Sequence, residues 1–369
     1  MGSTLKILVL GATGIIGRYL CEVAAAEGHL VSAVSRGNPR IRVDGVEYLQ
    51  GDARDPGARR TLVSSGSFDA VVDLLSFTPE HVTESLEWFS GRCEQYVLIS
   101  SATVYEAPRP GERLTENASL RNSGWEYPLR KIACEKVLRT RAAEIGQVFT
   151  IVRPYITYSE QRLAFGAWES EQALARIRNG LPVVIGDEIS GTQTALTHSR
   201  DLARGIVSLL GNPRAINEDF HIAAENMHTW REVYEIASDL LGVRLDVVDA
   251  PVSRIVDVYP ELAGKLSDRM LDRSFDLTKF RGASPGFDFE YTLRDGYQTV
   301  LDAWGPPAPL AAQWRGRMDR LIAEVGALSP TPQSRSELDL RTVGQMLRYV
   351  IGRSRLLFAV HRRLRWRQP

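Results

Sequence analysis

The sequence predicts an α/β fold with a doubly wound parallel sheet, and three observations support that class. An apolar run, Leu5 to Leu10, passes directly into Gly11-Ala12-Thr13-Gly14-Ile15-Ile16-Gly17, which is typical of a buried strand that turns tightly into a helix. Strand and helix patterns then alternate as far as Arg153, as they do in proteins with parallel sheets. The 369 residues are 44% hydrophobic and 24% charged, a composition that can fill a large globular core.

Short apolar stretches in the first part of the chain are predicted as strands of this sheet. They are Lys6–Leu10, Leu30–Val34, Val46–Leu49, Ala70–Leu74, Tyr96–Ser100 and Val148–Arg153. Helical periodicity between them predicts helices at Gly14–Ala25, His81–Phe89 and Leu129–Ala143. Because right-handed crossovers bring the carboxyl ends of parallel strands to one edge, we expect a ligand at that edge.

The glycine-rich turn indicates what that ligand is. Glycines are needed where a side chain would keep the backbone away from a pyrophosphate, and the start of the following helix offers N–H groups and a positive dipole end. The turn therefore predicts a bound dinucleotide. The expected contacts are Gly11, Thr13, Gly14, Ile15, Ile16 and Gly17.

The end of the second predicted strand favours NADP(H) over NAD(H). Turns that bind NAD usually carry Asp or Glu at this point for the ribose hydroxyls. This chain instead reads Ala33-Val34-Ser35-Arg36-Gly37-Asn38, without a carboxylate. Arg36 can meet a 2′-phosphate, with Ser35 as a hydrogen-bonding neighbour. The alternative is that Arg36 stacks on adenine and accepts both cofactors.

Three further residues are predicted to carry the chemistry: Ser101, Tyr127 and Lys131. Tyr127 and Lys131 are one helical turn apart, so their side chains share a face of a helix. The lysine cation favours the phenolate, which lets the tyrosine exchange a proton with a carbinol or ketone as hydride moves. Ser101 follows a predicted strand and can hydrogen-bond the same substrate oxygen.

The pattern after Pro154 predicts a smaller α/β substrate lobe that closes over the cofactor edge. The elements predicted after Pro154 are Ala167–Arg178 (helix), Leu181–Ile185 (strand), Thr197–Leu210 (helix), Phe220–Ile222 (strand) and Trp230–Leu241 (helix), of which Thr197–Leu210 and Phe220–Ile222 fall in a segment that returns to the first domain. Thr229 and Glu232 form a capping-box pattern at the last helix, and Gly242 is expected to end it.

Domain boundaries follow from these elements. Residues 1–160, with a returning segment at about 195–225, are assigned to the dinucleotide-binding domain, and residues 161–194 and 226–305 to the substrate lobe. A linker, 306–336, begins with a proline-rich break and leads to a basic tail, 337–369.

The tail is the most unusual part of the composition. No acidic residue follows Asp339, whereas arginine stands at positions 341, 348, 353, 355, 362, 363, 365 and 367. Apolar residues recur between them at helical spacing, which predicts one or two basic amphipathic helices with a break at Gly352. Three interpretations compete: an anionic membrane surface bound through residues 341–367, a nucleic acid or other acidic partner, and docking on the acidic remainder of the protein or a second subunit.

Charge and cysteine content limit the function classes. Lys plus Arg and Asp plus Glu both number 45, so the whole chain has no bias toward polyanions, and nucleic acid is disfavoured as a partner. Cys21, Cys93 and Cys134 are scattered and odd in number, which favours reduced thiols over disulfides or a metal site. Without a signal peptide or a membrane-spanning run, we expect a cytoplasmic protein, with peripheral membrane association through the tail as an option.

In this order, the motifs resemble an extended short-chain dehydrogenase/reductase of the NAD(P)-dependent nucleotide-sugar epimerase/dehydratase family, over about residues 5–305. Besides the glycine turn and the Ser, Tyr and Lys, the resemblance rests on Arg153-Pro154, Thr197–Leu202 and Phe275–Lys279. It implies a Rossmann-type sheet and a ribose contact for Lys131, and we also expect a homodimer. The remaining expected cofactor contacts are Asp52, Ala53, Leu74, Leu75, Ser76, Ser100, Pro154, Tyr155 and Ile156.

The resemblance leaves two reactions open. Family dehydratases carry an Asp-Glu pair after the catalytic Ser or Thr, but Ala102 and Thr103 stand here, so dehydration is disfavoured. A 4-epimerase and a 4-ketoreductase of a nucleotide sugar remain. The alternatives are a reductase or dehydrogenase of a non-nucleotide substrate, and a non-catalytic, RNA-associated dinucleotide binder.

Substrate contacts are expected from Thr103 and from four arginines in segments that approach a nucleoside diphosphate in the family. These arginines are Arg162, Arg200, Arg269 and Arg273. A solvated surface position for each is the alternative. His198 lies in a segment that the family uses as a structural corner, so we interpret it as structural.

Overall fold

A computed structural model describes residues 3–36, 41–55, 66–122, 124–303, 312–326 and 342–365. The strands, numbered in chain order, are β1 (Lys6–Leu10), β2 (Leu30–Ser35), β3 (Val46–Gln50), β4 (Phe68–Asp73), β5 (Cys93–Ile99), β6 (Arg113–Leu114), β7 (Val148–Pro154), β8 (Ile156–Tyr158), β9 (Ala164–Phe165), β10 (Trp168–Glu169), β11 (Val183–Gly186), β12 (Gln193–His198), β13 (Glu218–Ile222), β14 (Met227–Thr229), β15 (Val247–Ala250) and β16 (Ser274–Phe275).

The α-helices within the described residues are numbered in the same way. They are α1 (Gly17–Ala26), α2 (Pro79–Phe89), α3 (Glu126–Ile145), α4 (Ser170–Arg178), α5 (Asp187–Ser190), α6 (Ser199–Val207), α7 (Trp230–Leu241), α8 (Val252–Val258), α9 (Ala263–Arg269), α10 (Thr278–Ala283), α11 (Leu293–Ala303), α12 (Ala312–Glu324), α13 (Val343–Arg353) and α14 (Arg355–Arg365).

Seven strands form one parallel sheet in the order β13-β7-β5-β4-β1-β2-β3, which confirms the predicted doubly wound α/β class. The chain runs outward from β1 through β2 and β3 and then crosses to the other side through β4. The strand order therefore reverses between β1 and β4, the point at which open α/β sheets bind ligands. Each of the predicted strands of the first half lies in this sheet, within three residues of its expected bounds.

Both faces of the sheet are covered by helices, which explains the apolar runs of its inner strands, such as β1. Ile7 and Val9 of β1 pack on one face with α1 and α6. Leu8 and Leu10 point to the opposite face, where α2 and α3 lie. Since successive side chains of a strand alternate between faces, a strand buried on both sides must be apolar throughout.

Five predicted helix starts differ from the observed ones by two or three residues, and local structure explains two of these differences. The helix α1 begins at Gly17 instead of Gly14, because residues 14–16 form the turn and the Gly14 N–H donates to the Gly11 carbonyl at 3.2 Å. The helix predicted at Thr197–Leu210 starts at Ser199, since Thr197 and His198 complete β12. His198 caps this helix by accepting the Arg200 N–H at its Nδ1 atom.

The helix α7 has the predicted bounds. Thr229 accepts the Glu232 N–H at 3.2 Å while the Glu232 carboxylate accepts the Thr229 N–H at 2.7 Å, a reciprocal capping box. Gly242 ends the helix with φ at +63°, in the left-handed region that glycine reaches without strain. Local sequence chemistry fixes both ends of this element.

The structure divides into two compact units. The first contains the described residues within 1–161, 195–227 and 272–296, and the second those within 162–194, 228–271 and 297–369. The sequence places 226–305 in the substrate lobe, whereas 272–296 belongs to the first unit. The reason is that β16 pairs with β6 and Arg273 donates to the Tyr105 carbonyl at 3.2 Å, both within the first unit.

The second unit has small sheets, since β9 pairs with β10 and β11 with β15. It also contains α12, which lies inside the segment predicted as a linker, 306–336; residues 304–311 and 327–341 lie outside the described residues. Met318, Leu321 and Ile322 of α12 are buried, an apolar pattern that the neighbouring prolines obscured.

The tail forms two helices, α13 and α14, that belong to the second unit. The break falls at Ser354, and Gly352, predicted as the break, is buried inside α13. The two helices α12 and α13 approach so closely that a Cβ on Gly316 would lie 2.2 Å from the Tyr349 carbonyl oxygen. Within the described residues, no helix has the length and apolar character needed to cross a membrane.

Candidate functional site

The glycine turn joins β1 to α1 at the carboxyl edge of the sheet. Gly11 has φ at +94°, a conformation that other residues adopt only with strain. A Cβ on Gly17 would lie 2.2 Å from the Gly11 carbonyl oxygen, so only glycine permits this approach of helix to strand. Thr13 and Gly14 are exposed at the tip of the turn, and Ile15 and Ile16 are half-buried. The turn therefore fits a dinucleotide pyrophosphate, as predicted from the sequence.

A pocket opens beside this turn, at the ends of β2 and β3. It is lined by Gly11, Thr13, Val34, Ser35, Arg36, Gly51, Asp52, Ala53, Arg54 and Leu75. The structure thus brings together Ser35, Arg36, Asp52 and Ala53, as expected for an adenosine site. Arg36 is exposed at its rim, and Gly37 and Asn38 lie outside the described residues.

The pocket also contains a second arginine, Arg54, which the sequence analysis missed. Its guanidinium donates to the Leu75 carbonyl at 3.3 Å and lies 5.7 Å from the centre of the Phe77 ring. Its position, two residues after Asp52 and close to the end of β3, is the sequence signal that would have predicted Arg54 as part of this pocket. Arg36 and Arg54 give this pocket two cationic side chains.

Lys131 is buried on α3, one turn after Tyr127. Its ammonium donates to the carbonyls of Ser76 and Ile99 at 2.7 and 2.8 Å, and lies 4.6 Å from the centre of the Phe77 ring. An ammonium has three N–H donors, so these carbonyls take two of them. Burial lowers the pKa of Lys131, against the opposing charges of Asp73 and Glu135. Tyr127 is half-buried, with its ring 5.1 Å from that of Trp125.

The loop after β4, which includes Leu74, Leu75 and Ser76, is held by a carboxylate that the sequence analysis missed. Asp73 is 1% exposed and accepts from the N–H groups of Leu75 and Ser76 and from the hydroxyls of Ser76, Ser85 and Tyr96. Because Ser76 in turn accepts from Lys131, Asp73 fixes the carbonyl that orients the lysine. The sequence did not indicate this role of Asp73, because an aspartate at the end of a strand is common.

Ser101 is buried at the end of β5 and begins a short 3-10 helix, Ala102–Val104, that contacts α3. Its hydroxyl lies 2.9 Å from that of Thr103. The neighbouring Ser100 hydroxyl donates to Glu135 at 2.6 Å, so this hydroxyl already has a carboxylate partner within the protein.

A buried ion pair connects α3 to the end of β7. Arg153 binds Glu135 through two hydrogen bonds, Nε to Oε1 at 2.9 Å and Nη2 to Oε2 at 2.7 Å, and both side chains are 1% exposed. Asp219 also contacts the guanidinium at 2.5 Å. Since Glu135 is one turn after Lys131, this pair fixes the helix that carries Tyr127 and Lys131. Pro154, Tyr155 and Ile156 follow directly and are buried.

The four arginines expected to contact substrate all have protein partners. Arg200 pairs with Glu22, and Arg273 is fully buried against the Tyr105 carbonyl, both in the first unit. In the second unit, Arg162 pairs with Glu169 at 3.3 Å and Arg269 with Asp268 at 2.7 Å. The structure does not bring these cations together into a diphosphate clamp within either unit.

His198 lies in the first unit, stacked on Tyr291 with ring centres 4.0 Å apart, and is 2% exposed. Burial lowers its pKa to about 4, with Arg200 and Arg18 acting in the same direction and Glu160 opposing. This environment agrees with its interpretation as a structural residue.

Stability should therefore fall as the pH drops from about 6.5, the unfolded value, toward about 4, because the unfolded chain binds a proton that folded His198 excludes. His198→Asn, which can still accept the Arg200 N–H, should flatten this dependence in urea unfolding measured across that range. Part of the pH dependence should remain in the variant, because burial also lowers the pKa of His221 to about 4. An unchanged slope in the variant would contradict the assignment.

Comparisons with known proteins agree with this geometry. Residues 7–223 match the model of the NAD dependent epimerase/dehydratase family. The chain is 27% identical to a 2'-dehydrokanamycin reductase of Streptomyces kanamyceticus over 332 residues, 88% of each protein. It is 30% identical to the chloroplast stem-loop binding protein of 41 kDa b of Arabidopsis thaliana over 311 residues, 79% of this chain and 78% of that one. The structure of the UDP-glucose 4-epimerase of Thermus thermophilus in complex with NAD is similar in fold, with a TM-score of 0.63 at 19% identity, over 80% of this chain and 97% of that one.

Proposed function

Since the chain belongs to the NAD dependent epimerase/dehydratase family and is an NAD(P)-dependent enzyme of the extended short-chain dehydrogenase/reductase type, we propose that it reduces a ketone on a polyhydroxylated ring with NADPH. The observation that carries the choice of substrate is the burial of Arg269 and Arg273 with protein groups. The partly exposed ion pairs of Arg162 and Arg200 are weak and add little. A nucleoside diphosphate needs cations that are free to bind its oxygens. Their engagement favours a substrate without that group, and the similarity to a 2'-dehydrokanamycin reductase supports this choice.

The proposed roles of the residues follow from their chemistry. When bound, the nicotinamide would supply the hydride to the ketone carbon. Tyr127 donates its phenolic proton to the ketone oxygen, which becomes the hydroxyl of the product, and regains a proton from solvent. The Lys131 cation, held by the Ser76 and Ile99 carbonyls, stabilises the transient phenolate. Ser101 donates a hydrogen bond to the same substrate oxygen.

The residues of the adenosine pocket support NADP(H) as the cofactor. Arg36 and Arg54 both line it, and β2 ends at Ser35 without the carboxylate that binds ribose hydroxyls in NAD-dependent proteins. Two guanidinium groups suit a 2′-phosphate, which they can bind with charge-assisted hydrogen bonds.

The reaction is tested by net consumption of NADPH. Keto-sugars with and without an attached nucleoside diphosphate should be supplied separately, and the absorbance of NADPH followed. The expected result is stoichiometric oxidation of NADPH with the nucleotide-free ketone. If a nucleotide sugar is interconverted instead, with no net change in NADPH, the protein is a 4-epimerase. This second candidate is supported by the segment Ser-Ala-Thr-Val-Tyr at positions 101–105, which resembles the corresponding loop of 4-epimerases in the family.

The cofactor preference is tested with Arg36→Ala. Removing one charged hydrogen-bond donor should raise the KM for NADPH by about tenfold and leave that for NADH unchanged. Arg42→Ala is the matched control, because Arg42 lies 4.7 Å from the centre of the Tyr48 ring and is not among the residues that line the pocket. An equal rise in the KM values for NADPH and NADH would mean that Arg36 stacks on adenine.

A further inference from the structure

The two tail helices expose a set of aliphatic side chains, which we call the outer tail face. On α13 the set recurs at a spacing of three to four residues, which places it on one side of the helix. Exposure of its members ranges from 43% to 74%, high values for large aliphatic side chains. The outer tail face consists of Val343, Leu347, Val350, Leu356, Leu357 and Val360.

The opposite side of the same helices is fastened to the second unit. The Tyr349 hydroxyl donates to Asp319 of α12 at 3.0 Å, and Gly316 allows the two backbones to meet. The Phe358 ring of α14 lies 4.7 and 5.6 Å from the guanidinium groups of Arg317 and Arg320. Within the described part of the tail, docking on the second unit, which the sequence left open, thus involves this inner side. The outer tail face points away from it.

Positive charge accompanies the outer tail face. Arg348 and Arg355 are exposed on the two helices, and no acidic residue follows Asp339. The chain as a whole has no net charge, so the eight arginines after position 339 leave a net charge of −8 on the remainder. Within the tail, exposed aliphatic and cationic side chains therefore occur together without neutralising carboxylates.

We propose that the outer tail face binds the surface of an anionic lipid bilayer. Aliphatic side chains of an interfacial helix enter the boundary between headgroups and acyl chains, while arginines bind lipid phosphates. Each helix has 11 residues and is about 16 Å long. Six aliphatic side chains are few beside the roughly 20–30 residues per side of a stable protein interface, which disfavours a second copy of the chain. Nucleic acid is bound mainly through phosphates, which would leave the aliphatic side chains unused.

Flotation of the full chain with lipid vesicles tests the proposal. The protein should float with vesicles of phosphatidylcholine plus phosphatidylglycerol and stay behind with phosphatidylcholine alone. The double variant Leu347→Glu/Leu356→Glu should lose at least about tenfold in affinity, because it removes two aliphatic side chains that would enter the bilayer. Arg348→Gln/Arg355→Gln should weaken binding and reduce its sensitivity to salt.

Leu30→Glu is the matched control, since Leu30 is 62% exposed and lies on β2 in the first unit. It should float as the unaltered protein does, and all variants should keep the thermal midpoint of unfolding. The proposal is overturned if the unaltered protein stays behind with anionic vesicles, or if the leucine variant floats equally well. It is also overturned if that variant instead abolishes self-association measured by sedimentation.

Discussion

Replacing Tyr127 by Phe should reduce turnover of the ketone by about 10²–10⁴-fold, because the substrate oxygen then loses its proton donor. The change removes only the hydroxyl, and the ring can keep its contact with Trp125. Affinity for NADPH, measured by quenching of intrinsic fluorescence, should be nearly unaffected. The effect should therefore appear in kcat and not in the binding of the cofactor.

Tyr291→Phe serves as the comparison for this variant, since Tyr291 stacks on His198. It should retain nearly full turnover. If Tyr127→Phe also retains turnover, another group supplies the proton and the proposed role of Tyr127 is wrong.

Replacing Glu135 by Ala should lower the free energy of unfolding by about 3–5 kcal/mol, because it removes the carboxylate that binds the Arg153 guanidinium through two hydrogen bonds. Domains are typically stable by only about 5–15 kcal/mol, so this is a large fraction of the total. Activity measured well below the unfolding temperature should also fall, because Glu135 anchors α3 close to Lys131. Urea unfolding followed by circular dichroism measures the first effect.

Glu144→Ala on the same helix is the matched control. Glu144 pairs with Arg141 at 2.6 Å, but both side chains are at least 41% exposed, and such surface pairs contribute about 0–1 kcal/mol. A loss in Glu135→Ala no greater than that in Glu144→Ala would show that the buried pair does not hold the helix.

The sequence predicted the inner strands of the sheet well because they are buried on both faces. Such strands are largely apolar, and glycine or polar residues end them, so β1 was predicted with its observed bounds and β2 and β7 within one residue. The edge strand β3 is only partly buried, but its bounds were also predicted within one residue. Likewise, α7 carries a complete capping box and a terminal glycine, which are signals contained in a few adjacent residues. Where local chemistry determines an element, the sequence is sufficient.

The features that the sequence did not predict depend on contacts between segments that are distant in the chain. Asp73 acquires its role from Tyr96 and Ser85, and no local pattern connects those positions. Segment 272–296 joins the first unit through the pairing of two-residue strands, which are too short to show periodicity. The partners of Arg162 and Arg200 were equally invisible, because a cationic side chain looks the same in sequence whether it binds a ligand or a carboxylate.

The contact between Gly316 and Tyr349 has a practical consequence for anyone who shortens this chain. Cutting before α13 would leave a groove on α12 shaped for another backbone and would expose Asp319 to solvent, although Asp319 also pairs with Arg176 at 2.9 Å inside the second unit. Insolubility of such a truncated protein would then say nothing about membranes. Substitutions on the outer tail face separate attachment from folding, and deletion of the tail does not.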